Sequence, residues 1–527
     1  MIEETPMIRT IHGQLQGKYM SSRSGRKFMA FLGIPYAAPP VGKFRFLPPQ
    51  PAQQWEGVRR ATEEGNICSQ GKYGGCEDCL FVNVFTHNCD SEALKPVMFY
   101  IHGGSFYMGA PSMGITGPEY LMDRDIVLVT VRYRLGPFGF LSTEDSVVPG
   151  NMGLKDQVKA LEWVQENIVS FGGDPKKVTL FGCSAGASAV HLHMQSPASR
   201  DLFVRGISQS GTSLGTHSLM GKGTAREYTV KLAKLLDCSS LDSQEILQCL
   251  QQKTTSEIEK AHQNLQFPRY GMTKSIFRPV VEVSSDQAFI TSSPLLATTE
   301  KPWLVGLTAN EGILDIREKV LNHIITKIRS DYKDYIPKAL LFEDICSEPS
   351  QIAESIYDFY FKNSMNRNDM IKSIEEMYTD WWFLWPTEQA IRKHKGPLFY
   401  YLYAHQGQHS YAEVYNSPTG LGVSHLDDLL SLFRHSLYFP ELNERDTNVS
   451  KLLVNLWVDF AMGGNPTPHP ISNNPQTNQV KDFLWTVHHK SDPKHLHIQT
   501  QKLSMERGIY SNRLEFWDGL HVVDKLP

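Results

Sequence analysis

The chain has 527 residues, of which 41% are hydrophobic and 20% charged, and its formal net charge is −4. That apolar content is too high, and the charge too low and mixed, for a disordered chain. The near-neutral balance gives no electrostatic reason to bind nucleic acid or an anionic membrane, and no run of about 18 apolar residues offers a membrane span.

In chain order, residues 1–20 lack a basic stretch followed by an apolar core, so no secretory leader is visible. The expectation is a cytoplasmic protein, with secretion the alternative if a leader is missing from this chain. Residues 97–101 (VMFYI) are β-branched and aromatic and read as a buried strand. This strand runs into His102-Gly103-Gly104-Ser105-Phe106. Glycines there let main-chain N–H groups point into a cavity, as in the oxyanion loops of esterases and lipases. Taken alone, a plain Gly-Gly turn is an equal reading. Residues 126–133 (IVLVTVRY) form a second buried strand. Leu154, Val158, Leu161, Val164 and Ile168 recur at helical spacing, and that helix stops at Gly172-Gly173.

Residues 178–181 (VTLF) read as a short strand, followed by Gly182-Cys183-Ser184-Ala185-Gly186 and then a helical pattern. A G-x-S-x-G between strand and helix is a nucleophile elbow. The turn exposes the Ser184 hydroxyl. Small residues two positions either side let strand and helix approach closely. The helix start offers free N–H groups, Ala185 among them, to a developing negative charge. A hydroxyl nucleophile needs a base, and the base needs an orienting carboxylate, in the chain order Ser, Asp or Glu, His. Glu311 lies in a turn after the strand 303–307. His425 lies in a loop after the strand 398–403, within Gly422-Val423-Ser424-His425-Leu426-Asp427-Asp428. His191 and His193, on the helix after Ser184, read as packing residues. Between Glu311 and His425, residues 315–391 read as mainly helical.

His488, His489, His495 and His497 form a loose cluster. His495 and His497 would face one way on a strand, a minor metal-site reading; no metal or cofactor is expected. Asn448-Val449-Ser450 is a lone glycosylation sequon of a kind that occurs by chance. Strand, helix, strand is the grammar of a parallel sheet with crossover helices. No linker interrupts it, so residues 1–527 are expected to form one large α/β domain with helical insertions.

Several longer motifs stand in a fixed order. Phe31-Leu32-Gly33-Ile34-Pro35-Tyr36-Ala37-Ala38-Pro39-Pro40-Val41-Gly42, with Arg45-Phe46 and Trp55, is followed by Glu77-Asp78-Cys79-Leu80. Arg132-Tyr133-Arg134-Leu135-Gly136, Gly153-Leu154-Lys155-Asp156-Gln157 and Phe171-Gly172-Gly173-Asp174-Pro175 follow, and 460–466 closes the series. On these motifs the chain resembles the type-B carboxylesterases, the cholinesterase-like α/β-hydrolases, and is most similar to the insect members. The resemblance implies a Ser184–Glu311–His425 triad and an oxyanion hole from the N–H groups of Gly104, Ser105 and Ala185. It also implies disulfides pairing Cys68 with Cys79 and Cys238 with Cys249, although in a reducing compartment both would stay reduced.

Four departures from the family pattern stand out. Cys183 replaces a usual Glu, Ser105 replaces the third glycine of the oxyanion loop, the Cys68 to Cys79 segment is short and lacks Trp, and His217 falls where many members carry an acyl-pocket Trp. A missing Trp removes a cation–π partner for quaternary ammonium groups. The expected activity is therefore hydrolysis of small, uncharged, apolar carboxylic esters through an acyl-enzyme, in detoxification or in lipid or hormone ester metabolism. Organophosphates would be captured by the same serine. The alternatives are a juvenile-hormone esterase and a non-catalytic binding or adhesion protein on the same fold. The sequence leaves monomer and homodimer open.

Overall fold

The computed structural model describes residues 5–89, 92–266, 275–343, 345–469, 483–500, 502–520 and 522. The N-terminal part supplies β1 (Met7–Thr10), β2 (Gly13–Gln16), β3 (Lys18–Ser21), β4 (Lys27–Pro35) and β5 (Val58–Arg60). Of these, β1, β2 and β5 form a small outer sheet, while β3 and β4 open the main one. The main sheet continues with β6 (Phe81–Thr86), β7 (Lys95–Ile101), β8 (Val127–Val131), β9 (Gly173–Cys183) and β10 (Arg205–Gln209). It is completed by β11 (Trp303–Thr308), β12 (Leu398–Tyr403), β13 (Lys494–Ile498) and β14 (Leu503–Arg507). The order across it is β14-β13-β12-β11-β10-β9-β7-β8-β6-β4-β3. From β13 across to β8 neighbouring strands run parallel, and antiparallel pairs close both margins.

The uninterrupted apolar runs follow from this position. Along β7, Val97, Phe99 and Ile101 join one core while Met98 and Tyr100 join the core on the opposite face. β12 divides likewise, with Leu398, Tyr400 and Leu402 on one side and Phe399, Tyr401 and Tyr403 on the other. A strand covered on both faces has no polar side to show, so its sequence does not alternate. The helix Met152–Asn167 lays Leu154, Val158, Leu161 and Val164 on the first core. It ends through a short 3₁₀ turn at Gly172, whose φ of 73° is readily adopted by glycine. The helix Glu444–Gly463 covers the opposite face with Val449, Leu453, Leu456, Trp457 and Phe460. The segment expected to be helical holds Glu318–Ala339, Pro349–Tyr360, Arg367–Thr379 and Trp385–Lys393, with a π-helical turn at Asp380–Leu384.

Four of the ordered motifs meet as two buried ion pairs. Arg134 grips Asp156 through Nε and a terminal nitrogen at 2.8 and 2.7 Å. Arg45 holds Glu77 the same way at 2.7 and 2.6 Å. Two-pronged guanidinium–carboxylate contacts fix orientation as well as distance, so these residues pin the loops around the sheet. Cys68–Cys79 and Cys238–Cys249 are disulfide-bonded, the pairing that the family resemblance implies. The sequon Asn448 lies within the helix Glu444–Gly463, and Ser450 is buried and donates to the Ser431 carbonyl at 2.6 Å. No helix among the described residues is long and apolar enough to cross a membrane.

Candidate active site

β9 ends at Cys183 and the helix Ala185–Gln195 begins at Ala185, so Ser184 alone makes the turn. Its φ of 59° and ψ of −125° lie outside the regions open to ordinary residues. Such strain persists only where the surroundings enforce it. The Ser184 N–H donates to the Gln209 carbonyl at 2.8 Å, and the Ser184 carbonyl accepts from the Ser188 N–H at 3.0 Å. The flanking glycines permit close approach to the end of β7. A Cβ on Gly186 would lie 2.1 Å from the Ile101 carbonyl oxygen, and one on Gly182 2.6 Å from the same atom.

That approach brings the loop after β7 to the elbow, where a Cβ on Gly103 would lie 3.0 Å from Ser184 Cβ. Gly104, Ser105 and Phe106 have φ of 113°, 53° and 62°. Among the described residues none accepts a hydrogen bond from the N–H of Gly104, Ser105 or Ala185. Donors left open in a turn and at a helix start form a receptacle for negative charge. The loop is braced from behind. The Tyr133 hydroxyl donates to the His102 carbonyl at 2.8 Å, and the two rings stack at 4.4 Å. Burial holds the His102 imidazole down at about 4, so it stays neutral at physiological pH. On the other side, the Gly109 N–H donates to Gln70 Oε1 at 2.7 Å, which ties this loop to the Cys68–Cys79 loop.

Glu311 follows β11 at the start of the 3₁₀ turn Glu311–Asp315 and is fully buried. Its Oε1 accepts from the Thr308 N–H at 2.7 Å, and its Oε2 faces His425 Nδ1 at 2.5 Å. The acid and histidine loops are stitched directly. Asn310 donates its N–H to the Val423 carbonyl at 3.0 Å, and Asn310 Oδ1 accepts from the Val423 N–H at 3.1 Å. Asp427 fixes the histidine loop by accepting from the Ser424 N–H at 2.8 Å and the Tyr411 N–H at 2.7 Å. With Nδ1 held by a carboxylate, the Nε2 of His425 is the nitrogen free to take a proton.

The structure therefore brings Glu311 and His425 into contact and sets the Gly104–Ser105 loop against the Ser184–Ala185 elbow. His217 is buried, and its ring lies 5.6 Å from that of Phe383, which in turn lies 4.8 Å from the His425 ring. His191 and His193 pack as expected. His191 stacks on Trp303 at 4.7 Å, and His193 lies 2.8 Å from both Gln157 Oε1 and Ser199 Oγ.

Sequence reasoning missed the layer beneath. Asp428 is fully buried, and its Oδ2 accepts from Gln209 Nε2 at 2.8 Å and from the Tyr401 hydroxyl at 2.9 Å. Burial raises its carboxyl to about 6. Gln209 thus links Asp428 to the backbone of the elbow. Burial, with the Asp428 and Glu311 charges nearby, pushes the Cys183 thiol well up, so a neutral group precedes Ser184. Asp428 sat in plain view three residues after His425. Phe383 carried no signal, because its place depends on the π-helical turn.

The Carboxylesterase family model matches residues 4–517. The chain belongs to the carboxylesterase family. Venom carboxylesterase-6 of Apis mellifera is 36% identical over 98% of this chain and 94% of its own length. A juvenile hormone esterase of Tribolium castaneum is 34% identical over 99% and 95%. The crystal structure of juvenile hormone esterase from Manduca sexta, with OTFP covalently attached, superposes with a TM-score of 0.84 at 26% identity, covering 98% of this chain and 99% of that one. This carboxylesterase is a serine hydrolase of small carboxylic esters, related to the insect esterases.

Proposed function

We propose that Ser184 is the nucleophile, His425 the general base and Glu311 its orienting carboxylate, acting on small, neutral, apolar esters. The N–H groups of Gly104, Ser105 and Ala185 hold the oxyanion. The observation that carries this reading is the buried 2.5 Å contact between Glu311, in the turn after β11, and His425, in the loop after β12, neighbouring parallel strands of the sheet that carries the elbow. His425 takes the Ser184 hydroxyl proton as Oγ attacks the ester carbonyl. The carbonyl oxygen becomes an oxyanion on the three N–H groups. As it collapses, His425 gives the proton to the departing alcohol, leaving an acyl-serine. Water then attacks, losing a proton to His425, and releases the acid and the free serine. An organophosphate would be attacked at phosphorus by the same oxygen, losing its leaving group and leaving a phosphylated serine.

The neutral preference rests on two features. The Cys68 to Cys79 segment contains no Trp, and the residue before the nucleophile is an uncharged thiol rather than a carboxylate. A cation–π contact is worth up to about 2 kcal/mol when desolvated, roughly thirtyfold in affinity. The test compares naphthyl or nitrophenyl acetate with acetylthiocholine in wild type and Ser184→Ala. Wild type should favour the neutral ester in kcat/KM. The variant should lose hydrolysis by orders of magnitude while keeping its fold, because oxyanion hole and binding alone give only about 10³–10⁴ over water. An unchanged rate in the variant rejects the nucleophile, and a thiocholine preference rejects the substrate class.

A further inference from the structure

The hairpin at one margin of the main sheet carries side chains that the esterase chemistry does not use. β13 and β14 pair antiparallel, with His495 opposite Glu506 and His497 opposite Ser504. Directly opposed residues share a face, as do residues two apart on one strand. His495, His497, Ser504 and Glu506 therefore project to the same side. His497 Nδ1 lies 2.9 Å from Glu506 Oε2, and Ser504 Oγ donates to Glu506 Oε1 at 2.7 Å. The His495 and His497 rings are 6.0 Å apart. One ligand atom from each of His495, His497 and Glu506 lies within 4.8 Å of the others. His495 is only 2% exposed, and its Nδ1 has no hydrogen-bond partner among the described residues. A buried ring nitrogen without a partner is costly, and the ring that carries it stands beside a second imidazole and a carboxylate already oriented by a hydroxyl.

We propose that His495, His497 and Glu506 bind a divalent transition-metal ion, with zinc the best fit to two imidazoles and one carboxylate. Zinc takes nitrogen and oxygen ligands at about 2.0–2.2 Å, so tetrahedral donors stand roughly 3.3 Å apart. The three donors already lie within 4.8 Å of one another, so binding asks each to move by only about an ångström or two. Binding replaces the His497–Glu506 hydrogen bond by two metal bonds and gives the open His495 nitrogen a partner. Water completes the fourth position. Ser504, bonded to the other carboxylate oxygen, holds Glu506 in orientation. The ion would join the edge strand β14 to β13 through side chains as well as backbone. A plain cross-strand ion pair between His497 and Glu506 is the competing account. It predicts no metal affinity and leaves the His495 nitrogen without a role.

The test uses the full chain, stripped with a chelator and dialysed, then titrated with zinc by calorimetry against wild type, Glu506→Gln and His497→Gln. Glu506 is the most exposed of the three side chains, so its amide variant should keep the chelator-treated melting temperature of wild type. Wild type should bind one zinc per chain and melt at a higher temperature with zinc than with chelator. Both variants should lose at least about tenfold in affinity and lose the thermal shift. If His497→Gln fails to fold, Glu506→Gln alone decides. Equal zinc binding in wild type and Glu506→Gln, or no binding in wild type, overturns the proposal.

Discussion

His217 stands where many relatives carry an indole, and its surroundings leave little slack. A Cβ on Gly215 would lie 2.7 Å from the imidazole Cε1, and the Phe383 ring sits on the other side between His217 and His425. If His217 lines the acyl site, as the family resemblance implies, a larger ring there narrows the room for the acyl group without touching the proton path. His217→Trp should therefore reduce kcat/KM more for hexanoate and branched esters than for acetate. Overfilling a packed site costs about 1–3 kcal/mol, roughly 5- to 150-fold for the larger acyls. An ester series from acetate to hexanoate, run on both proteins, checks it. Equal losses along the series would remove His217 from the acyl site. At the same scale, Cys183 sets the electrostatics beneath the nucleophile. The thiol is fully buried and neutral where a carboxylate would add a third negative charge beside Glu311 and Asp428.

Among the elements, the short disulfide loop acts on the oxyanion loop through Gln70. The Cys68–Cys79 bridge closes a loop of sequence separation 11, and Gln70 within it both accepts from the Gly109 N–H and donates to the Gly109 carbonyl. Bridging a loop of that size restricts the unfolded chain by about 3 kcal/mol. Cys68→Ser with Cys79→Ser should lower the unfolding free energy in urea by about that amount. It should also lower kcat with little change in KM, since the oxyanion donors act most strongly on the transition state. Urea unfolding of wild type and variant, with matched kinetics, measures both; an unchanged midpoint would show that the bridge constrains nothing. The π-helical turn at Asp380–Leu384 is the second such device. An inserted residue rotates the register between two helices and places Phe383 on His425.

Over the whole molecule, two sets of buried groups oppose each other in their response to pH. Burial holds His102, His394, His435 and His495 at about 4 and His191 and His193 at about 3. Their folded values are depressed, so the stability they contribute is present above about pH 6.5 and lost as pH falls toward those values. Burial raises Asp427, Glu375 and Asp380 to about 7 and Asp428 to about 6. Their contribution is fully present below about pH 4 and lost as pH rises through the folded values. Each group changes stability by about 1.4 kcal/mol per pH unit inside its window. Six histidines against four carboxyls leave the histidines dominant, at roughly 2–3 kcal/mol per pH unit between about pH 4.5 and 6. Urea midpoints should therefore fall as pH is lowered from 6 to 4.5. A midpoint that stays level or rises in acid would mean that these imidazoles are not held neutral in the fold.

The elements legible in the sequence were those fixed by local chemistry. The buried strands announced themselves as apolar runs, the helix Met152–Asn167 as a repeating stripe, and the elbow as glycines around a serine between strand and helix. Strand β9 was read too short. Its first residues, Asp174 to Lys177, are polar and partly exposed, yet Gly173 pairs with Lys95 and extends the ladder. The hairpin β13–β14 was visible only as histidines at even spacing. Glu311 and His425 are 114 residues apart, and nothing local joins them; they meet because β11 and β12 are neighbours and Asn310 bonds to Val423. The Asp428–Gln209 pair spans 219 residues, and Phe383 reaches His425 through a helical irregularity. Motifs, periodicity and turn residues report on a few neighbouring positions, so the sequence by itself determined the strands, the elbow and the chemical types at the site. The contacts that orient the base and support the elbow lie between segments distant in sequence. Only the packing of strands and helices around one sheet decided them.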